Sequence, residues 1–232
     1  MLKEQVYPLP SALQTERSFR PRSLAEVYDS YHIPDQLAEH MINVARVILW
    51  FRENLKCSLG IHWNYLVQAA LKHDMGNIVR MENFFGPMSQ EEEKWRAVQS
   101  VFRERYSSDA ESATLTILKE MQVAPAVIYF VEGMGHTTIA EQGYPENAIE
   151  ILFLDMADLA VSPTRICTQP ERINEMRKRY GLKEWNVAIA RRYLAYKYLR
   201  HLLTVSPGSI RELNQERVDW QKWLDSRLLV SL

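Results

Sequence analysis

Thiol is scarce in this chain. Cys57 and Cys167 are the only cysteines among 232 residues, too few for a disulfide framework, and no CxxC or Cys-His spacing of a zinc module accompanies them. Both are expected as free thiols in a reducing compartment. Glycine is scarce too, with 8 residues, and the apolar alternation of half-buried strands is nearly missing, which argues against a sheet. No unbroken apolar stretch is long enough to span a membrane: the most apolar run, residues 41–51, is interrupted by Asn43 and Arg46. The opening stretch MLKEQVYPLPSALQTERSFRPR lacks the apolar segment of a secretory signal. Neither sign of charge dominates, with 28 Lys and Arg against 29 Asp and Glu, so no global field draws the chain to nucleic acid or an anionic membrane. These absences point to a cytoplasmic protein without membrane or nucleic-acid partners.

What remains is helix-forming sequence. Apolar residues recur at spacings of three and four along most of the chain, and five pairs have capping-box spacing: Ser23 with Glu26, Ser89 with Glu92, Ser108 with Glu111, Thr168 with Glu171 and Ser209 with Glu212. Pro34, Pro125 and Pro145 suit first helical turns, whereas Gly60, Gly76, Gly143 and Gly181 fall at expected ends. The pattern predicts helices near 23–31, 34–54, 62–75, 89–106, 108–121, 124–133, 145–160, 168–180, 182–204 and 209–229. The fold class is therefore all-α. A hydrophobic content of 47% and a charged content of 25% are those of an ordinary globular protein.

Three of these helices carry an ionisable group where a core residue belongs. His40 shares its face with Leu37, Val44, Val47 and Ile48; His73, followed by Asp74, shares its face with Leu66, Ala69 and Ala70. The row Asn64, Gln68 and Lys72 is read as the solvent face of that second helix, and the two alanines as a place for another helix to approach. Asp158 lies with Ile151, Leu154 and Asp155 in a segment that is apolar all round. An isolated carboxylate there would be costly, and a divalent cation removes the difficulty through direct coordination. Two imidazoles with two carboxylates favour Mn²⁺, Fe²⁺, Ni²⁺, Mg²⁺ or Zn²⁺ over a thiolate-loving metal. Taken singly, each group has a blander reading: His40 as a hydrogen-bonded core histidine, the His73-Asp74 pair as a helix end whose imidazole meets carbonyls, Asp158 as a cap or an arginine partner.

Taken in order, HIPDQLAEHMINVARV, LVQAALKHDMG and ADLAVSP resemble the HD superfamily of metal-dependent phosphohydrolases. Its pattern is a His, a His-Asp pair and a distant Asp, all on helices. The resemblance covers residues 31–163 and implies an HD-like helical bundle. Residues 1–30 would be an N-terminal extension, and 164–232 a C-terminal helical extension packed on the core in a single compact domain. It implies one divalent metal bound by His40, His73, Asp74 and Asp158, with Asp158 preferred to Asp155 by alignment, and Asp74 also orienting the attacking water. The implied reaction is hydrolysis of a small phosphorylated metabolite, with a nucleotide as first choice.

The chain departs from the family in one place. Many members follow the pair with Gly-Lys, but here the run is HDMGN, so Asn77 replaces a cationic phosphate contact with a neutral donor. Arg80, three residues on, is the candidate to supply that charge, against the reading of a solvated surface arginine. Lys72 is set aside as part of the polar row. His136, in FVEGMGHTTIAEQG, lies where many members place another His and is a candidate for phosphate binding, general acid or a second metal; an inconsequential loop histidine is the alternative. Glu82 is a weak candidate for the leaving-group acid, and Phe84, Phe85 and Met88 for a lid. The run Arg191, Arg192, Lys197, Arg200 and His201 is read as a solvated helix face opposite Trp185, Ile189 and Leu199. Trp220, Trp223, Leu224 and Leu228 are read as a core-docking or homodimer contact. Two other functions fit the same residues: a noncatalytic HD-like regulatory domain that binds a nucleotide or partner, and an iron oxygenase, which would need further inward histidines.

Overall fold

A computed structural model describes residues 23–56, 59–82, 87–145, 149–162, 165–180 and 186–225. Cys57, Phe84, Phe85, Gly181, Trp185, Leu228 and residues 1–22 lie outside them. Within this range the chain is helical, with no strand and only two isolated bridges, Leu55 to Leu203 and Val161 to Ile166. The helices are α1 (Leu24–Ser30), α2 (Asp35–Glu53), α3 (Trp63–Ala70), α4 (Pro87–Gln90), α5 (Glu92–Arg105), α6 (Ala110–Glu120), α7 (Pro125–Gly133), α8 (His136–Glu141), α9 (Ile149–Asp158), α10 (Gln169–Tyr180), α11 (Asn186–Leu202) and α12 (Trp220–Leu224). Two 3₁₀ segments, Asn77–Arg80 and Pro207–Asn214, complete the set.

Capping follows the residue chemistry more closely than the spacing rule. Ser23 and Glu26 form a complete capping box on α1. At α6 the cap is Asp109, which accepts from the Ser112 amide, so Ser108 with Glu111 is not a box. Glu111 instead turns its carboxylate to the backbone N–H of His136, 2.8 Å away. Ser89 lies inside α4 and Glu91 caps α5, while Ser206 rather than Ser209 starts the last 3₁₀ segment. At Thr168 half a box forms: the Glu171 carboxylate accepts from the threonine amide and hydroxyl. The long helix expected over 209–229 is replaced by the 3₁₀ segment and the short α12.

One continuous core runs from Leu24 to Leu213 and includes the C-terminal elements. α2 lies at its centre, burying Leu37, Met41, Ile42, Val44, Ala45, Val47, Ile48 and Phe51 against α3 and α9. Ala69 and Ala70 are fully buried where α3 meets its neighbours. Pro34 starts α2, its carbonyl accepting from Leu37 and Ala38 at 2.8 and 2.9 Å. Arg46 reaches from α2 to the Leu213 carbonyl at 2.7 Å, fastening the C-terminal 3₁₀ segment to the core. Trp220, Trp223 and Leu224 also pack on the core, with α12 against α1.

Two charged rows are not where the periodicity put them. Asn64 is exposed as expected, but Gln68 and Lys72 are buried, because the second half of α3 packs against α2, α7 and α9 and the turn after it is largely buried as well. Burial pulls the Lys72 ammonium down to about 7. In α11, Arg191 and Arg192 leave the solvated face: Arg191 donates to the Ile139 and Ala140 carbonyls at the end of α8, and Arg192 is buried beside α9.

The helix expected over 62–75 stops at Ala70. Residues 71–76 turn, and a 3₁₀ segment follows. Its ending is built from several directions. The Tyr28 hydroxyl donates to the Leu71 carbonyl at 2.8 Å, and the Gly76 amide donates to Thr114 Oγ1 at 2.9 Å. From α5, Gln99 Nε2 donates to the Ile78 and Met81 carbonyls, while Arg103 donates twice to the Val79 carbonyl. Gly76 has no room for a side chain: an added Cβ would stand 2.4 Å from the Thr114 amide nitrogen and 2.6 Å from the Ala110 carbonyl oxygen. Both atoms are helical backbone and cannot swing aside. Gly76→Ala is expected to destabilise the fold by about 1–3 kcal/mol or more, read as a lower denaturation midpoint. Gly60→Ala, strained by its φ of +67° but with nothing within 4 Å of the new methyl, should cost about 1 kcal/mol.

Candidate metal centre

The turn after α3 decides how His73 points. Its Nδ1 lies 2.8 Å from the Ala70 carbonyl at the helix end. A carbonyl only accepts, so Nδ1 carries hydrogen, and in the neutral ring Nε2 keeps a lone pair. The bland reading of this residue, an imidazole on a helix-terminal carbonyl, therefore describes one of its nitrogens. The other is buried without a hydrogen-bond partner.

Around that nitrogen three elements converge. Asp74 follows in the turn, His40 reaches in from α2, and Asp158 ends α9. His73 Nε2 is 3.7 Å from Asp74 Oδ2 and 3.4 Å from Asp158 Oδ1. His40 Nε2 is 3.6 and 3.0 Å from the same two oxygens. The two rings are 5.3 Å apart, centre to centre. One donor atom each from His40, His73 and Asp74 lies within 4.8 Å of the other two. Donors bound at about 2.1 Å to a common ion sit roughly 3.0–3.5 Å apart at neighbouring vertices, close to the 3.0–3.7 Å found here. The His73 side chain is 1% exposed and that of Asp158 31%, so the cluster has a buried wall and an open side.

Its electrostatics favour positive charge at the centre. Burial pulls His73 down, but Asp74 and Asp158 outweigh it and the imidazole is pushed up to about 9. Burial likewise pushes the Asp158 carboxyl up, yet His40 and His73, whose Nε2 atoms lie 3.0 and 3.4 Å from its Oδ1, hold it well below the usual carboxylate range. A proton meets this demand in part; a divalent cation would meet it more fully, with bonds to His40, His73 and Asp74, whose donor atoms group together, and the Asp158 carboxylate beside the two imidazoles.

Comparison with protein-family models, with curated proteins and with solved structures finds no match to this chain. The case for the centre rests on its own geometry.

Asp155, three residues before Asp158, is not part of this cluster. It is wholly buried and accepts from Arg192 at 2.7–3.1 Å and from the Tyr144 hydroxyl at 2.5 Å. His136 opens α8 instead of lying in a loop, because Gly133 and Gly135 interrupt the helix before it. Its Nδ1 is 3.1 Å from Arg192 Nη1. Asn77 is buried at the start of the 3₁₀ segment, and Arg80 is exposed at its end. Glu82 is exposed, and Met88 is buried. Sequence reasoning missed Arg192, although the arithmetic that turned His40 inward was available: Ala188, Arg192, Ala195 and Leu199 follow at four, three and four residues and all are buried.

Desolvation first, then the charges of Arg192 and Arg80, pull His136 down to about 4. Its ordinary value, about 6.5, applies in the unfolded chain. As pH falls from about 6.5 to 4, the unfolded state gains a proton that the folded state refuses, so stability is lost across that window. His136→Gln is expected to flatten this stretch of the stability profile, measured as denaturant midpoints between pH 7 and pH 4. An unchanged slope would show that the imidazole takes up its proton as readily in the folded chain.

Proposed function

We propose that this chain is a metal-dependent phosphohydrolase of HD type acting on a small phosphorylated metabolite, a nucleotide by first choice, in the cytoplasm. The observation that carries this reading is the convergence of His40, His73, Asp74 and Asp158, with a buried imidazole nitrogen that has no hydrogen-bond partner. These four groups would hold one divalent cation. When bound, it would polarise a phosphoryl oxygen and acidify water at neutral pH.

The remaining roles fall to the chain's own side chains. Asp74, with 21% of its side chain exposed, would orient the attacking water from the open side of the cluster. Arg80 supplies the cationic phosphate contact that Asn77 cannot, and its influence on His136 brings it into electrostatic range of that imidazole. Asn77 contributes a neutral donor. His136 would serve the phosphate or the leaving group rather than a second metal, since two arginine charges already oppose a cation beside it. That arrangement also weighs against the iron oxygenase reading. A noncatalytic nucleotide-binding module is the second reading, favoured by the neutral Asn77 after the pair.

Elemental analysis of protein purified without chelator is expected to find about one divalent ion per chain. Asp74→Ala should lower metal affinity by more than about 100-fold, beyond the 10- to 100-fold typical of groups behind the ligands; full occupancy in the variant would overturn the site. A panel of phosphomonoesters and nucleotides with Mn²⁺, Mg²⁺ or Ni²⁺ separates the two readings, since a metal-loaded but inert chain would be the binding module. With an active substrate, Arg80→Ala should raise KM by about 10- to 100-fold, the scale of one charge-assisted hydrogen bond. An unchanged KM would return Arg80 to the solvated surface.

A further inference from the structure

Arg192 is a charge the proposed reaction does not use. Its guanidinium is fastened along one edge: Nε donates to both oxygens of Asp155 at 3.0 and 3.1 Å, and Nη2 to Oδ1 at 2.7 Å. The Tyr144 hydroxyl braces the same carboxylate at 2.5 Å. With Asp155 wholly buried, the guanidinium plane has little freedom. Nη1, its remaining nitrogen, faces His136 Nδ1 at 3.1 Å. A guanidinium has donors and no acceptor, and it stays protonated wherever proteins fold. His136 Nδ1 must therefore accept, and the ring's single hydrogen sits on Nε2.

We propose that Arg192, clamped by Asp155 and Tyr144, is a positioning residue that locks His136 as the neutral Nε2–H tautomer, a hydrogen-bond donor to a phosphate oxygen beside the metal centre. The tautomer follows from the contacts alone; the phosphate as its ligand rests on the phosphohydrolase reading. Charged groups on three other elements among the described residues bear on this histidine. Arg192 comes from α11 and Arg80 from the 3₁₀ segment, while Glu111 from α6 directs its carboxylate to the His136 backbone N–H at 2.8 Å. A second proton on the ring would stand against the guanidinium and within range of another cation. The neutral ring keeps its one N–H on Nε2, turned away from Arg192 and available in kind as a donor to an anion. Arg192 also feels the charge of Asp158, so the residue that sets the tautomer lies close to the cluster that would receive the phosphate.

The test is nitrogen-resolved NMR of the histidine-labelled full chain, with His136→Gln identifying the signal. The expected spectrum has Nδ1 unprotonated and Nε2 protonated, unchanged from about pH 8 to about pH 5. A protonated Nδ1 near pH 7 would overturn the proposal. The double variant Arg192→Gln with Asp155→Asn removes the cation without stranding a buried carboxylate. In it, His136 should titrate nearer to about 6.5 with mixed tautomers, while metal content per chain stays at the wild-type value. An unchanged titration would also overturn it, and the wild-type spectrum decides alone if the variant does not fold. Inorganic phosphate added to Mg²⁺- or Zn²⁺-loaded protein should shift the Nε2 signal; no shift would refute the donor role. Failure of any divalent ion to bind would defeat the phosphohydrolase reading separately, leaving the tautomer measurement to stand on its own result.

Discussion

The central constraint of this molecule is the short path from Ala70 to Arg80, where the end of a helix orients the candidate donor atoms. α3 must stop where its terminal carbonyls can take the His73 ring and the Tyr28 hydroxyl. Had the helix run on, the Ala70 carbonyl would have gone to the backbone amide at position 74, and nothing would fix which imidazole nitrogen faces the carboxylates. The early stop turns a helical residue into an oriented donor atom. It also brings Asp74 beside His40, which arrives on α2 with the rigidity of a helix buried along its length.

That ending is held from outside. Thr114 on α6 takes the Gly76 amide, and Gln99 and Arg103 on α5 take carbonyls of the 3₁₀ segment, so α5 and α6 hold the pair in register with α2 and α9. Orphaned backbone groups in a buried turn would cost about as much as lost hydrogen bonds. The side chains that satisfy them therefore stabilise the fold and aim the site together. A change in α5 could disturb the centre without touching a candidate ligand.

Periodicity singled out His40, His73 and Asp158 because each replaces an apolar residue in a mostly apolar helical segment, and Asp74 was legible only as the neighbour of His73 in the family-like pair. The all-α class was legible for the same reason, from scarce glycine and repeated three-and-four spacing. The rule failed where a helix loses its solvent face part-way along. Asn64, Gln68 and Lys72 form a regular polar row, but only Asn64 lies outside, since α3 is enclosed from Leu66 onward. It failed again at Arg192, where the number of neighbouring charges outweighed position within the Ala188, Ala195 and Leu199 stripe. The early stop of α3 was not legible either, since the partners that hold it lie 18 to 43 residues away in sequence.

α9 brings two carboxylates into the interior three residues apart, and they are neutralised differently. Asp155 meets a guanidinium and a phenol, a permanent arrangement complete within the protein. Asp158 meets two imidazoles that can be neutral, so its compensation is exchangeable. With Asp155 already matched, the proposed centre has two uncompensated negative charges, those of Asp74 and Asp158. One divalent cation cancels them. A second would leave an excess of two positive charges in a partly buried site already near Arg192, and Arg80 bears on the adjoining His136. On the proposed reading, the fixed ion pair on one turn of α9 would favour a single metal on the next, and would leave the positive field of the arginines for an anion approaching from the open side.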